Sequence, residues 1–188
     1  MQVTITGVDA VNLALQKMGP EVIRAAQRGM KIAGMNIIAD AKETLRRENI
    51  NATGVLSQSG KVQPVKGDPE GLYDVGFMGE KAYAGAVEYG RRAGGPPPKP
   101  SIVQWLRKKH SMKRNGRAID AITSAAAFTG KSREQLMEAA ADNIRWHIAK
   151  HGTKPHPFFK PAVDKNTPSI PNLVAREVGA VINRTGNV

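Results

Sequence analysis

Between residues 20 and 45 the apolar side chains of Ile23, Ala26, Met30, Ala33, Ile37, Ala41 and Leu45 recur at steps of three and four. A stripe with that period predicts an amphipathic helix of about 25 residues. Pro20, directly after Gly19, suits the first helical position, where a missing N–H costs nothing. Gly29 and Gly34 interrupt the stripe. Each costs the helix roughly 1 kcal/mol relative to Ala, so close approach of another helix or strand is expected at both. Upstream, "MQVTITG" alternates as a short strand would and stops at Gly7, after which Asp9 can cap a first helix reaching about Met18. Downstream of the turn-rich "NATGVLSQSG", the stretches "KVQPVK" and "LYDVGFM" flank the turn "GDPEG" and read as a β-hairpin. Tyr73, Val75 and Phe77 fall on one face of its second strand, expected to lie against the long helix. Pro64 cannot donate to a ladder, which makes the first strand an edge or bulges it.

The second half has a different texture. "RRAGGPPPKP" (91–100) predicts an exposed connector, and "SIVQWLRKKH" a short helix with Ile102, Trp105 and Leu106 on one side. A basic loop "SMKRNG" and an Ala-rich helix around "AIDAITSAAAF" follow. Ser132-Arg133-Glu134-Gln135 has the form of a capping box, and Leu136, Ala140, Ile144 and Ile148 step by four until Gly152 stops the helix. A last helix is expected from about Pro168 to Asn183, followed by a fraying polar tail. Together these elements predict an α+β fold: long amphipathic helices packed on a small antiparallel β-sheet. The chain reads as one domain over residues 1–188, with 91–151 as a basic, mainly helical insertion.

Composition adds constraints. A chain of 188 residues can bury roughly 70% of its unfolded surface. With only 5% aromatic residues, aliphatic side chains and Ala fill most of that core. The absence of Cys excludes disulfides, thiolate metal sites and a cysteine nucleophile, and fits a reducing cytosol. "MQVTITGVDAVNL" lacks a basic leader with an apolar run, and no stretch has the length of a membrane helix. The net charge of +12 calls for a polyanionic neighbour, or simply a solvated basic face. Nine basic residues and no acidic one lie between Arg91 and Ile119: Arg91, Arg92, Lys99, Arg107, Lys108, Lys109, Lys113, Arg114 and Arg117. Apart from Lys99, these are the candidates for facing DNA or an acidic partner.

Chemistry is thinly represented. "AAAFTGKS" ends like a phosphate-binding loop but has Ala125 where the first Gly belongs and an Ala-rich stretch instead of a strand before it, so Gly130-Lys131-Ser132 reads as a helix stop and cap. His147 and His151 have the spacing of two metal ligands on one helix, with His156 further along, but no acidic ligand is near them in sequence; surface histidines at a helix C-terminus are the plainer reading. Glu88 has no partner carboxylate or His at catalytic spacing. No active site, metal or cofactor is expected. A metal-dependent hydrolase built on the histidines is the enzymatic alternative, and a free-standing basic nucleic-acid-binding protein the other.

Two stretches remain, "YAGAVEYG" (83–90) and "KPHPFFKPA" (154–162). Tyr83-Ala84, Val87-Glu88-Tyr89-Gly90 and Pro157-Phe158-Phe159-Lys160-Pro161-Ala162, with Thr53-Gly54-Val55-Leu56 and the long stripe before them, occur in the order seen in a known family. The chain resembles the tail-component (tail-completion, head-tail joining) proteins of tailed double-stranded DNA bacteriophages. It departs from that pattern in having Gly90-Arg91 where Gly-Thr is common, and in the long separation of the two hallmark segments. The resemblance implies a structural virion protein of the neck or upper tail, assembled in the host cytoplasm. It further implies a head-to-tail ring, of six copies in the simplest case, that neighbours the connector, tail terminator and tail tube and touches genomic DNA without sequence preference. Tyr83, Val87, Glu88, Tyr89, Phe158, Phe159 and Pro161 are then subunit-interface residues or structural anchors. Glu88 is a candidate for capping backbone amides or pairing with a neighbour's cation, and the two Phe rings for lying under the last helix or docking into the next subunit.

Overall fold

The computed structural model describes residues 2–4, 19–50, 54–66, 72–78, 83–111 and 129–185, with side chains for all of these except 2–4, 109–111 and 185. Its longest element is α1 (Pro20–Arg47), which starts at the predicted proline and buries the predicted stripe except Ile23, which is half-buried, and widens it with Val22, Ala25 and Ile38. Glu21 in the first turn and Arg46 and Arg47 in the last complement the helix dipole. After the single turn α2 (Val55–Gln58) come β2 (Gly60–Pro64) and β3 (Tyr73–Phe77), the predicted hairpin. With β1 (Gln2–Thr4) they form an antiparallel sheet in the order β1-β3-β2.

Met78 N–H donates to the Ser59 carbonyl and Val65 N–H to that of Leu72, both at 2.9 Å. Odd-numbered residues of β2 therefore face β3, and the backbone of Gly60, Val62 and Pro64 points outward. Pro64 thus occupies an outward position of an edge strand, where its lack of N–H removes nothing from the ladder.

Both helix glycines are contact points. A Cβ on Gly29 would lie 2.7 Å from the Val174 Cα, and one on Gly34 2.9 Å from Val75 Cγ2. One end of α1 is accordingly pressed against a late helix and its middle against the sheet. The main core joins Ile37, Ala41 and Leu45 of α1 to Leu56, Val75, Phe77, Phe158 and Phe159. A second cluster of Val22 and Ala26 is covered by Ile23, Val174 and Val178.

The C-terminal region departs from expectation. The expected last helix is preceded by two elements that were not expected: the chain forms α6 (Lys160–Asn166), a 3-10 turn (Thr167–Ser169) and then the last helix as α7 (Ile170–Thr185), within two residues of its expected bounds. Pro161 falls within the first turn of α6, a position that tolerates a missing N–H, so this proline helps start a helix. Between hairpin and C-terminus lie α3 (Ala84–Glu88), α4 (Lys99–Ser111) and α5 (Arg133–His151). α4 begins inside the proline run, because Pro100 occupies a first-turn position that tolerates it. The capping box forms as read: Gln135 N–H donates to Ser132 Oγ, and Ser132 N–H to Gln135 Oε1. The buried positions of α5 are Met137 and Ala141, each one residue beyond the predicted Leu136 and Ala140, which with Ile144 and Ile148 are half-buried. The predicted first helix, the turn "GDPEG" and the Ala-rich helix lie outside the described residues.

α1 and α6 are tied by Asp40, which accepts from Asn166 Nδ2 at 2.7 Å and pairs with Lys165 Nζ at 3.0 Å. The Asn166 amide and then the Lys165 ammonium hold the Asp40 carboxyl below its ordinary value. Lowering favours the charged, folded form, so this contribution is complete above the unfolded-chain value of about 3.9 and lost as pH falls through the lower folded one. The stability gap between wild type and Asp40→Asn, about 1 kcal/mol or less with Lys165 screened by solvent, is expected to be flat above pH ~5 and to close below pH ~4. Urea titrations across that range measure it.

Candidate functional site where residues 83–94 meet 149–160

The two stretches singled out by the sequence are zipped together. Arg91 and Thr153 exchange backbone hydrogen bonds of 3.1 and 2.8 Å, Gly94 N–H donates to the Ala149 carbonyl at 2.8 Å, and His156 N–H to that of Val87 at 2.8 Å. The segment 91–152, containing α4 and α5, therefore leaves and re-enters the rest of the chain at one paired junction.

Glycines on both sides permit this closeness. Gly90 has φ 73°, and a Cβ there would sit 2.5 Å from the Thr153 carbonyl oxygen. Gly152, with φ 73° and ψ −161°, is in a region open essentially to glycine alone. A Cβ on it would come 2.0 Å from the Arg91 carbonyl oxygen. Gly152→Ala is expected to destabilise the protein by at least ~2 kcal/mol and to speed hydrogen exchange at the Arg91 and Thr153 amides. Gly130→Ala, at φ 63° with open space around it, should cost only about 1 kcal/mol. Equal effects in denaturant titrations would contradict the role assigned to the junction.

Glu88 is the centre of the site. It is 2% exposed. Its Oε2 accepts from Phe158 N–H at 2.8 Å and Phe159 N–H at 2.9 Å, and its Oε1 from Lys160 N–H at 2.9 Å. These are the orphan amides at the start of α6, whose N-cap residue, Phe159, offers no side-chain acceptor. A carboxylate some 70 residues away does what a local Ser or Asp does elsewhere. With both oxygens occupied, Glu88 is committed to holding the chain. The rings that follow its amides enter the core: Phe158 and Phe159 are fully buried and meet Phe77 edge-on at centroid distances of 5.0 and 5.7 Å. Val87 packs half-buried against the same core. Tyr83, Tyr89 and Pro161 are exposed.

The basic candidates scatter. Arg91 turns its guanidinium onto the Gly95 carbonyl. Arg107 of α4 pairs with Glu134 of α5, and Lys99 reaches Asp142 at 2.8 Å and Glu138 at 3.6 Å. Asp142 is held below its ordinary range by Lys99 first and Arg145 second, and Lys99 is raised in turn. Acidic residues of α5 thus meet two of the nine cations and fasten α4 to α5 with them, a partnership hidden in the sequence because the partners are 27 and 43 residues apart. Arg92 and Lys108 are exposed; the Lys109 side chain, Lys113, Arg114 and Arg117 lie outside the described residues.

The His147 and His151 rings are 4.6 Å apart. Among the described residues no group of three or more His, Asp or Glu is arranged to hold a metal ion, and no helix is long and apolar enough to cross a membrane.

Residues 9–90 match the model of the HK97-gp10-like family, described as a candidate bacteriophage tail component. The match ends at Gly90, where the zipped junction begins, so Pro157–Ala162 lies beyond it. No curated protein and no solved structure matches the chain. The family match supports a phage tail-component role, and with it a place in the virion among other phage tail proteins.

Proposed function

We propose that this protein is a structural, non-catalytic tail component that sits at the neck or upper tail and associates head to tail into a closed ring around the DNA passage. The match of residues 9–90 to a tail-component family carries the reading. Two features are consistent with it. Glu88, the buried carboxylate at the centre of the junction, has both oxygens occupied by backbone amides, which suits scaffolding and leaves no acid-base pair there. The outward backbone of β2 supplies an edge that a heterologous contact from the next copy can cover. In this reading residues 91–151 are an insertion on the tail-component domain, favoured by the pairing of Arg91 with Thr153 at its two ends.

Light scattering on the purified protein, with negative-stain images of the same sample, tests the ring. A discrete closed oligomer, six copies in the simplest case, is expected at high concentration or on tail tubes. A protein that stays monomeric in both settings would overturn the ring.

A further inference from the structure

We infer that the outer surface of the zipped junction, centred on Arg92, Lys150 and Lys154, is a binding surface for the phosphate backbone of duplex DNA. The inference rests on the proposed place beside the DNA passage, and it moves the point of contact away from Arg107.

The observation is one of sequence and structure together. Residues 89–119 contain no acidic residue, and neither do residues 143–163. The hydrogen bonds between 87–94 and 149–156 bring the start of the first run beside the middle of the second. The nearest carboxylate in sequence, Glu88, is buried with three amides on its oxygens. Several cations nearby are committed: Arg91 to the Gly95 carbonyl, Arg145 to Asp142 and the Pro97 carbonyl, and Lys160 to Asp164. Arg92, Lys150 and Lys154 are exposed and form no ion pair with a described residue. His151 and His156, also exposed, add ring N–H donors.

Phosphate backbone suits this surface better than a protein partner does. Protein interface cores are depleted of Lys, whereas nucleic-acid surfaces gather Lys, Arg and polar donors without interleaved acids. Tyr89, 68% exposed beside the junction, adds a hydroxyl of the kind that contacts phosphate oxygens.

The test uses the full chain and a fluorescent duplex of arbitrary sequence, with binding followed over a salt series. Replacing Arg92, Lys150 and Lys154 together with Gln should lower affinity at least about tenfold at low salt and flatten the slope of log K against log salt by about 3. A control triple, Arg24→Gln, Lys31→Gln and Arg47→Gln on the exposed side of α1, removes the same charge and should leave the slope near wild type. Lys154→Gln alone should flatten it by about 1, which keeps the test valid if the triple variant fails to fold. Equal losses from both triples would overturn the inference in favour of a net-charge effect. Unchanged duplex binding would overturn it too, and a junction triple that keeps that binding but is shut out of particles would assign the surface to an acidic protein. Because binding is read on free protein, failure here leaves the tail role standing, and absence from tails leaves the binding result intact.

Discussion

Replacing Glu88 with alanine is expected to lower the stability of the protein by about 3–5 kcal/mol. The change strands three amide donors, Phe158, Phe159 and Lys160, at a site where the carboxylate they meet is 2% exposed. Each buried donor left unmet costs about 1–3 kcal/mol, and water entering the space left by the side chain recovers part of that. Glutamine does not rescue it: one amide oxygen replaces two acceptors, and its NH₂ faces N–H groups. Aspartate is one methylene too short to reach all three. Hydrogen exchange gives the specific signature, with the amides of residues 158–160 speeding up more than those of α5. A Glu88→Ala protein within about 1 kcal/mol of wild type would contradict the capping role.

Phe158→Ala is expected to cost about 3–5 kcal/mol, a large part of the ~5–15 kcal/mol that holds a typical domain. The ring is fully buried, meets Phe77 edge-on, and belongs to the same core cluster as Ile37 and Leu45 of α1. The T-shaped contact with Phe77, at 82°, adds a pairwise term of about 0.5–1.5 kcal/mol. A double-mutant cycle with Phe77→Leu and Phe158→Leu, read by urea midpoints, should return a coupling of that size. A cycle that closes to zero, with an unchanged monomer and lost assembly, would instead make Phe158 a docking residue.

These two residues show which parts of the site the sequence exposes and which it hides. Local signals were legible: the spacing from Ile23 to Leu45 defines α1, Ser132 and Gln135 cap α5, and Pro64 lies at an outward edge position. Gly29 and Gly34, costly in a helix, announced close contacts before their partners, Val174 and Val75, could be named. Non-local partnership was not legible. Nothing near Glu88 in sequence says that its acceptors serve amides some 70 residues later, and nothing near Arg107 points to Glu134. The start of α6 at Lys160 was within reach of a local rule, since Pro161 stands where a first-turn proline belongs. It was obscured because Phe159, the cap residue, has no polar side chain to mark a helix start.

The central claim, a tail component, is tested most directly by asking where the protein resides in finished particles. Tails, heads and joined virions of the phage that encodes it can be separated and probed by quantitative mass spectrometry, with cryo-electron microscopy of the head-tail junction. The account predicts a fixed copy number in the tail or neck fraction and clear density for α1 against the sheet at that junction. Its absence from every particle fraction, in cells that make it abundantly, would contradict the account.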